Sequence, residues 1–85
     1  MIKQVTLTIM ILLFLVGIAF AAININTANE QQLQELTGVG PVTAEAIIEY
    51  REANDGFDNI DELMEVRGIG PRTLEKLRDQ VTVAD

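Results

Sequence analysis

The sequence predicts an all-α domain made of two copies of one unit, a short helix, a glycine turn and a second helix, set in a compact pseudo-twofold arrangement. Three observations predict it. Gly38-Val39-Gly40-Pro41 returns as Gly68-Ile69-Gly70-Pro71, 30 residues later. The same shift pairs Asn29 with Asn59, Leu33 with Leu63, Leu36 with Val66, Thr43 with Thr73, Glu45 with Glu75 and Ile47 with Leu77, so the whole unit is duplicated and not the turn alone. Apolar residues on both sides of each turn recur at three- and four-residue intervals, the spacing that gives a helix one buried face. Stacked repeat arrays usually need three or more copies and atypical ends, so two copies are expected to close on each other.

Residues 1–21 stand apart from this pattern. Lys3 precedes an uncharged apolar run from Val5 to Phe20, and Ala19-Phe20-Ala21 has the small-x-small pattern of an export signal cleaved before Ala22. An uncleaved membrane anchor is the alternative, because Val5 to Ile23 approaches the roughly 17 to 20 apolar residues that span a bilayer. Thr6, Thr8 and Gly17 inside the run favour cleavage, as does the near absence of linker between Ile23 and the first helix cap. The expected organisation is a signal peptide at 1–21 and one domain at 22–85. Of the 85 residues, cleavage leaves 64, enough for a single domain with a modest core. The chain has no cysteine, so export here does not imply a disulfide scaffold.

Within the domain, Ile23-Asn24-Ile25-Asn26 alternates and is expected to lie extended, although no strand of convincing length is predicted. Asn29 with Gln32, and Asn59 with Glu62, have the spacing of a helix cap in which side chains satisfy the first free amides. Each opens a short helix, one burying Leu33 and Leu36 and the other Ile60, Leu63, Met64 and Val66. Pro41 and Pro71 follow the turns at the first position of a new helix, where the missing amide costs nothing. The first of these helices carries Ala44, Ile47 and Ile48 inward and stops at Asn54-Asp55-Gly56, after which Phe57 returns to the core. The last carries Leu74, Leu77 and Val81; the tail from Thr82 to Asp85 receives no assignment.

The turns are where the chemistry is expected. A helix that starts just after a turn presents unpaired amides and the positive end of its dipole, and glycine leaves no side chain between those amides and an anion. Gly38, Gly40, Gly68 and Gly70 are read as serving both this access and backbone angles closed to other residues, with Val39 and Ile69 anchoring the loops inward. A single copy would be no more than an economical turn; two copies in register indicate a phosphate grip used twice. The charge balance pulls the other way. Thirteen acidic residues stand against six basic ones, a net charge of −7, and loss of Lys3 makes it −8. Such a surface repels a phosphate backbone. The cations are local, however: Arg67, Arg72, Lys76 and Arg78 surround the second turn, whereas the first unit has only Arg51. A solvated, salt-bridged helix face is the plainer reading of that cluster, since Glu75 and Asp79 are interleaved. Without His or Cys the chain lacks the usual metal ligands and nucleophile–base pairs, so no catalytic or metal site and no cofactor is assigned. Asp58, Asp61 and Glu62 serve the start of a helix, where negative charge is favourable.

Leu36-Thr37-Gly38-Val39-Gly40-Pro41 and Val66-Arg67-Gly68-Ile69-Gly70-Pro71 resemble the paired helix-hairpin-helix motifs of DNA-binding proteins. From Ile23-Asn24-Ile25-Asn26-Thr27-Ala28 to Val83, with Tyr50-Arg51 and Gly56-Phe57 between the motifs, the chain is similar to the DNA-receptor domain of ComEA-type competence proteins. The resemblance implies a monomer that binds double-stranded DNA without regard to sequence, gripping phosphates across the minor groove during transformation, in the periplasm or otherwise outside the inner membrane. It also implies other DNA-uptake components as partners, with the membrane touched only through an uncleaved amino-terminal segment. The residues it assigns to DNA binding are Gly38, Val39, Gly40, Val42 and Thr43 in the first motif, and Arg67, Gly68, Ile69, Gly70, Arg72, Thr73 and Lys76 in the second. One departure stands out: the family usually has Lys or Arg shortly after the second glycine, a place filled by Arg72 but occupied by Val42 in the first motif, where Glu45 and Glu49 follow. A protein-interaction module of the same fold, its acidic face toward a basic partner, is the alternative.

Overall fold

The computed structural model describes residues 22–84. The signal or anchor reading of residues 1–21 lies outside them, and no helix among the described residues is long and apolar enough to cross a membrane. Strand β1 (Ile23–Asn24) is followed by helix α1 (Glu30–Leu33), helix α2 (Pro41–Ala53), a 3-10 helix (Ile60–Glu65), helix α3 (Pro71–Leu77) and strand β2 (Val81–Thr82). The expected two-unit helical fold is present, and burial repeats with it: the exposed and buried positions from Leu33 to Ala44 recur in the same order from Leu63 to Leu74.

The first unit opens as its sequence predicts. Asn29 Oδ1 accepts from the Gln32 amide at 2.8 Å while Gln32 Oε1 accepts from the Asn29 amide at 2.9 Å, a reciprocal box. The second unit makes half of it. Asn59 Oδ1 accepts from the Glu62 amide at 3.1 Å, but the Glu62 carboxylate instead accepts from the Asp58 amide at 2.9 Å and from the Tyr50 hydroxyl at 3.1 Å. The segment that follows winds as a 3-10 helix, with three residues per turn. Ile60, Leu63 and Val66 therefore share one edge, and Met64, expected on the buried face, is rotated off it and is 46% exposed.

Helix α2 stops at Ala53 because Asp55 (φ 57°) and Gly56 (φ 94°) both enter the left-handed region and reverse the chain. Phe57 is thereby returned to the core, its ring stacked on Tyr50 at 4.9 Å. Helix α3 is shorter than the apolar spacing predicts. It ends at Leu77, and Val81 reaches the core from β2, which pairs in parallel with β1 in the register Ile23 to Val81 and Asn24 to Thr82. A side chain four residues beyond Leu77 is buried by either backbone, so periodicity could not separate them.

Two polar side chains fasten the amino-terminal end. Asn26 accepts from the Phe57 amide at 2.6 Å and donates to the carbonyls of Phe57 and Val83 at 3.0 and 2.9 Å, which also orders the unassigned tail. Arg51 donates to the carbonyls of Ile25 and Ala28 at 3.1 and 2.7 Å. Beneath them, the predicted core residues Leu33, Leu36, Ile47, Leu63, Val66 and Leu77 form one cluster with Ile25, Val39, Ala44, Phe57, Ile69, Leu74 and Val81.

Candidate nucleic-acid interface

Each turn is built in the same way. Gly38 (φ 81°) and Gly68 (φ 101°) are left-handed, which only glycine adopts without strain. Val39 and Ile69 next turn inward, buried, with their amides on the carbonyls of Leu36 and Val66, both at 3.1 Å. Gly40 and Gly70 do not share the expected conformational need: φ is −97° and −100°, ordinary extended backbone. A Cβ at either would meet nothing within 4 Å, so what glycine supplies there is an uncovered approach to the backbone.

Both residues cap the following helix with no side-chain hydrogen bond, and Pro41 and Pro71 hold the first helical positions as predicted. The first amides bonded back into the turns are those of Ala44 and Leu74, to Gly40 and Gly70 at 2.9 Å. The amides of Gly40, Val42 and Thr43, and of Gly70, Arg72 and Thr73, have no partner among the described residues. These are the groups an anion's oxygens would take.

The two turns lie against each other. A Cβ built at Gly38 would stand 3.4 Å from Thr73 Cγ2, and one built at Gly68 would stand 2.9 Å from Thr43 Oγ1. Thr43 and Thr73, assigned from sequence to the ligand-contacting set, are half-buried, each laid against the opposite turn.

The charges sort themselves by unit. Arg67, Arg72 and Lys76 are exposed around the second turn and form no ion pair among the described residues. Arg78, counted in the same cluster, is withdrawn from it. Its Nη2 pairs with Asp61 at 2.9 Å and Glu75 at 3.1 Å, hydrogen bonds that raise its already high pKa. Arg51 is spent on backbone carbonyls. The first turn thus has no cation of its own; Val42, in the place of Arg72, is 72% exposed, with Glu45 and Glu49 exposed on the same helix.

Sequence reasoning missed Gln80. Its Oε1 accepts from the Thr37 amide at 3.1 Å and its Nε2 donates to Thr37 Oγ1 at 2.9 Å, clamping the entry to the first turn. The repeat gave no signal for this, because Tyr50 occupies the matching place in the first unit and its hydroxyl goes to Glu62.

The family profile described as Helix-hairpin-helix motif matches residues 19–82. The chain belongs to the helix-hairpin-helix family. Its two hairpins are the Gly38 and Gly68 turns with their flanking helices, and the resemblance to ComEA-type domains is upheld. ComE operon protein 1 of Bacillus subtilis is 49% identical over 63 residues, covering 74% of this chain and 31% of that protein. An uncharacterized protein of Haemophilus influenzae is 52% identical over 60 residues, covering 69% of this chain and 54% of that protein. The Endonuclease/exonuclease/phosphatase family domain-containing protein 1 of Homo sapiens is 40% identical over 62 residues, 73% of this chain but 11% of that protein. The chain accordingly spans from about a tenth to about half of these relatives.

Proposed function

We propose that the domain binds double-stranded DNA without regard to base sequence, by phosphate contacts from both hairpins across the minor groove. The observation that carries this reading is the reciprocal packing of Thr43 on Gly68 and Thr73 on Gly38. It holds two sets of unpartnered amides side by side, with Arg67, Arg72 and Lys76 around one of them. Phosphate contacts position a protein on a duplex but carry no base information. Gly38, Val39, Gly40, Val42, Thr43, Arg67, Gly68, Ile69, Gly70, Arg72, Thr73 and Lys76 make up the proposed interface. The domain acts as a binding module, not an enzyme.

The similarity to ComE operon protein 1 accords with a role in competence; the further reading, DNA uptake outside the inner membrane, rests on the ComEA-type resemblance and on the export-signal pattern of residues 1–21. Residues 1–21 would serve as the export signal; mass analysis from producing cells should give a chain starting at Ala22, and a full-length species retained in the membrane would establish an anchor instead.

A salt titration of DNA affinity tests the main reading. Three unpaired cations release about three counterions, so log K should fall against log salt with a slope of roughly −2 to −3. The net charge of −7 favours the competing reading, a protein-interaction module with a basic partner. Absence of saturable DNA binding at ~50 mM salt, where such contacts are strongest, would select it.

A further inference from the structure

We infer that Thr43, carried by the helix of the first hairpin, is the positioning residue of the second hairpin, so that the two grips are wired crosswise. The inference rests on the DNA-binding reading above and assigns Thr43 a support role there in place of a ligand contact.

Three observations point the same way. The cross-contact is closer at Gly68, where a Cβ would stand 2.9 Å from Thr43 Oγ1, than at Gly38, where the nearest atom is 3.4 Å away. Gly68 is also the left-handed residue of its turn, directly after Arg67 and four residues before Arg72. The backbone that carries those cations therefore rests on Thr43. Finally, the first hairpin has a second restraint that the other lacks. Gln80 bonds both the amide and the hydroxyl of Thr37. In the second hairpin Arg67 stands at the place of Thr37, and Tyr50, at the place of Gln80, gives its hydroxyl to Glu62.

Thr43 suits the task. A threonine within a helix is confined to two χ1 rotamers, and the one present here turns Oγ1 toward Gly68. A binding group is only as well placed as the residues that support it. The first hairpin, with Val42 and no cation, then contributes to DNA binding in large part through what it does for its neighbour.

The test is a set of affinity measurements on the full chain with a short mixed-sequence duplex, each variant checked by thermal melting. Thr43→Ala should weaken binding by at least about twofold, the lower end for coupled neighbours. Thr43→Ser, which keeps Oγ1, should restore most of it. On an Arg72→Ala background the Thr43→Ala loss should shrink, because the hairpin it supports is already impaired. On a Gly40→Ala background, which obstructs the first hairpin's amides, it should persist in full. Coupling to Gly40→Ala together with additivity to Arg72→Ala would overturn the inference and return Thr43 to a DNA contact within its own hairpin. Should Thr43→Ala not fold, Thr43→Val, which keeps the branched shape and removes Oγ1, takes its place in both cycles, and a folded Thr43→Ser with impaired binding overturns the inference equally. If Arg72→Ala itself leaves binding unchanged, the DNA reading fails first, and the inference with it.

Discussion

Replacing Val42 by lysine asks the first hairpin to do what the second does, and the outcome can be worked out from the structure. Val42 is 72% exposed, so the substitution removes little buried apolar surface. It stands at the second position of α2, where a cation opposes the helix dipole at about 0.3 to 1 kcal/mol. Glu45, three residues on, offsets part of that, so the melting temperature should fall only slightly. Binding should change more. At about 0.9 counterions per neutralised phosphate, Arg67, Arg72 and Lys76 give a slope near −2.7, and a fourth cation takes it to about −3.6. The same term corresponds to about fivefold tighter binding at ~0.15 M salt. Fluorescence anisotropy with a labelled duplex, titrated at several salt concentrations between ~50 and ~200 mM, reads both quantities. Adding Glu45→Gln should tighten binding further by removing a carboxylate that competes for the new lysine. If Val42→Lys changes neither slope nor affinity while Arg72→Ala abolishes binding, only the second hairpin touches DNA and the two-strand grip is wrong.

Arg72→Ala should weaken binding by about 1 to 2 kcal/mol, the loss of a charge-assisted contact, and make the salt slope shallower by about 0.9; two unrelated duplexes of equal length should bind equally well, since no base edge is read. Gly68→Ala should cost more than ~1 kcal/mol in urea denaturation, because a left-handed φ of 101° and the oxygen of Thr43 both oppose a Cβ. Gly40→Ala should melt close to wild type yet bind DNA less well, its methyl standing in the uncovered approach. If instead the two glycine variants are equally stable, the argument from backbone angle is at fault. The pH response should turn on Tyr50. Its phenol is held above its ordinary value, first by burial of the ring and then by Glu62, which accepts its hydrogen bond. Ionisation is thus harder folded than unfolded; the stabilisation is whole below pH ~10 and lost as pH climbs through the folded value. Unfolding free energy followed from pH 8 upward should fall less steeply in Tyr50→Phe, and an unchanged alkaline slope would refute that role.

The parts of the fold legible in the sequence were those written twice. Caps, glycine turns, helix-starting prolines and core positions each appear in both units, and the second copy separates pattern from coincidence. Details that break the repeat were not legible. Glu62 leaving its cap for Tyr50 depends on a contact twelve residues back in the chain, and the shift of Met64 to the surface depends on the tighter winding of its helix. Charge counting found the basic cluster but could not see that Arg78 is paired with Asp61, since that partner comes from another element. The repeat matched the two threonines to each other, but only the folded structure places each against the other's turn. Gln80 left no trace because its role exists in one unit alone.

The pairing of β1 with β2 bears on how the domain carries load. The strands are parallel, so the chain enters β1 and leaves β2 at opposite ends of one short ribbon. Tension between residues 22 and 84 slides the strands lengthwise instead of peeling them apart. The bonds from Ile23 to Gln80, from Ile25 to Thr82 and from Asn26 to Val83 then resist together, none able to yield alone. A pull along the chain is met at this clasp before it reaches the hairpins.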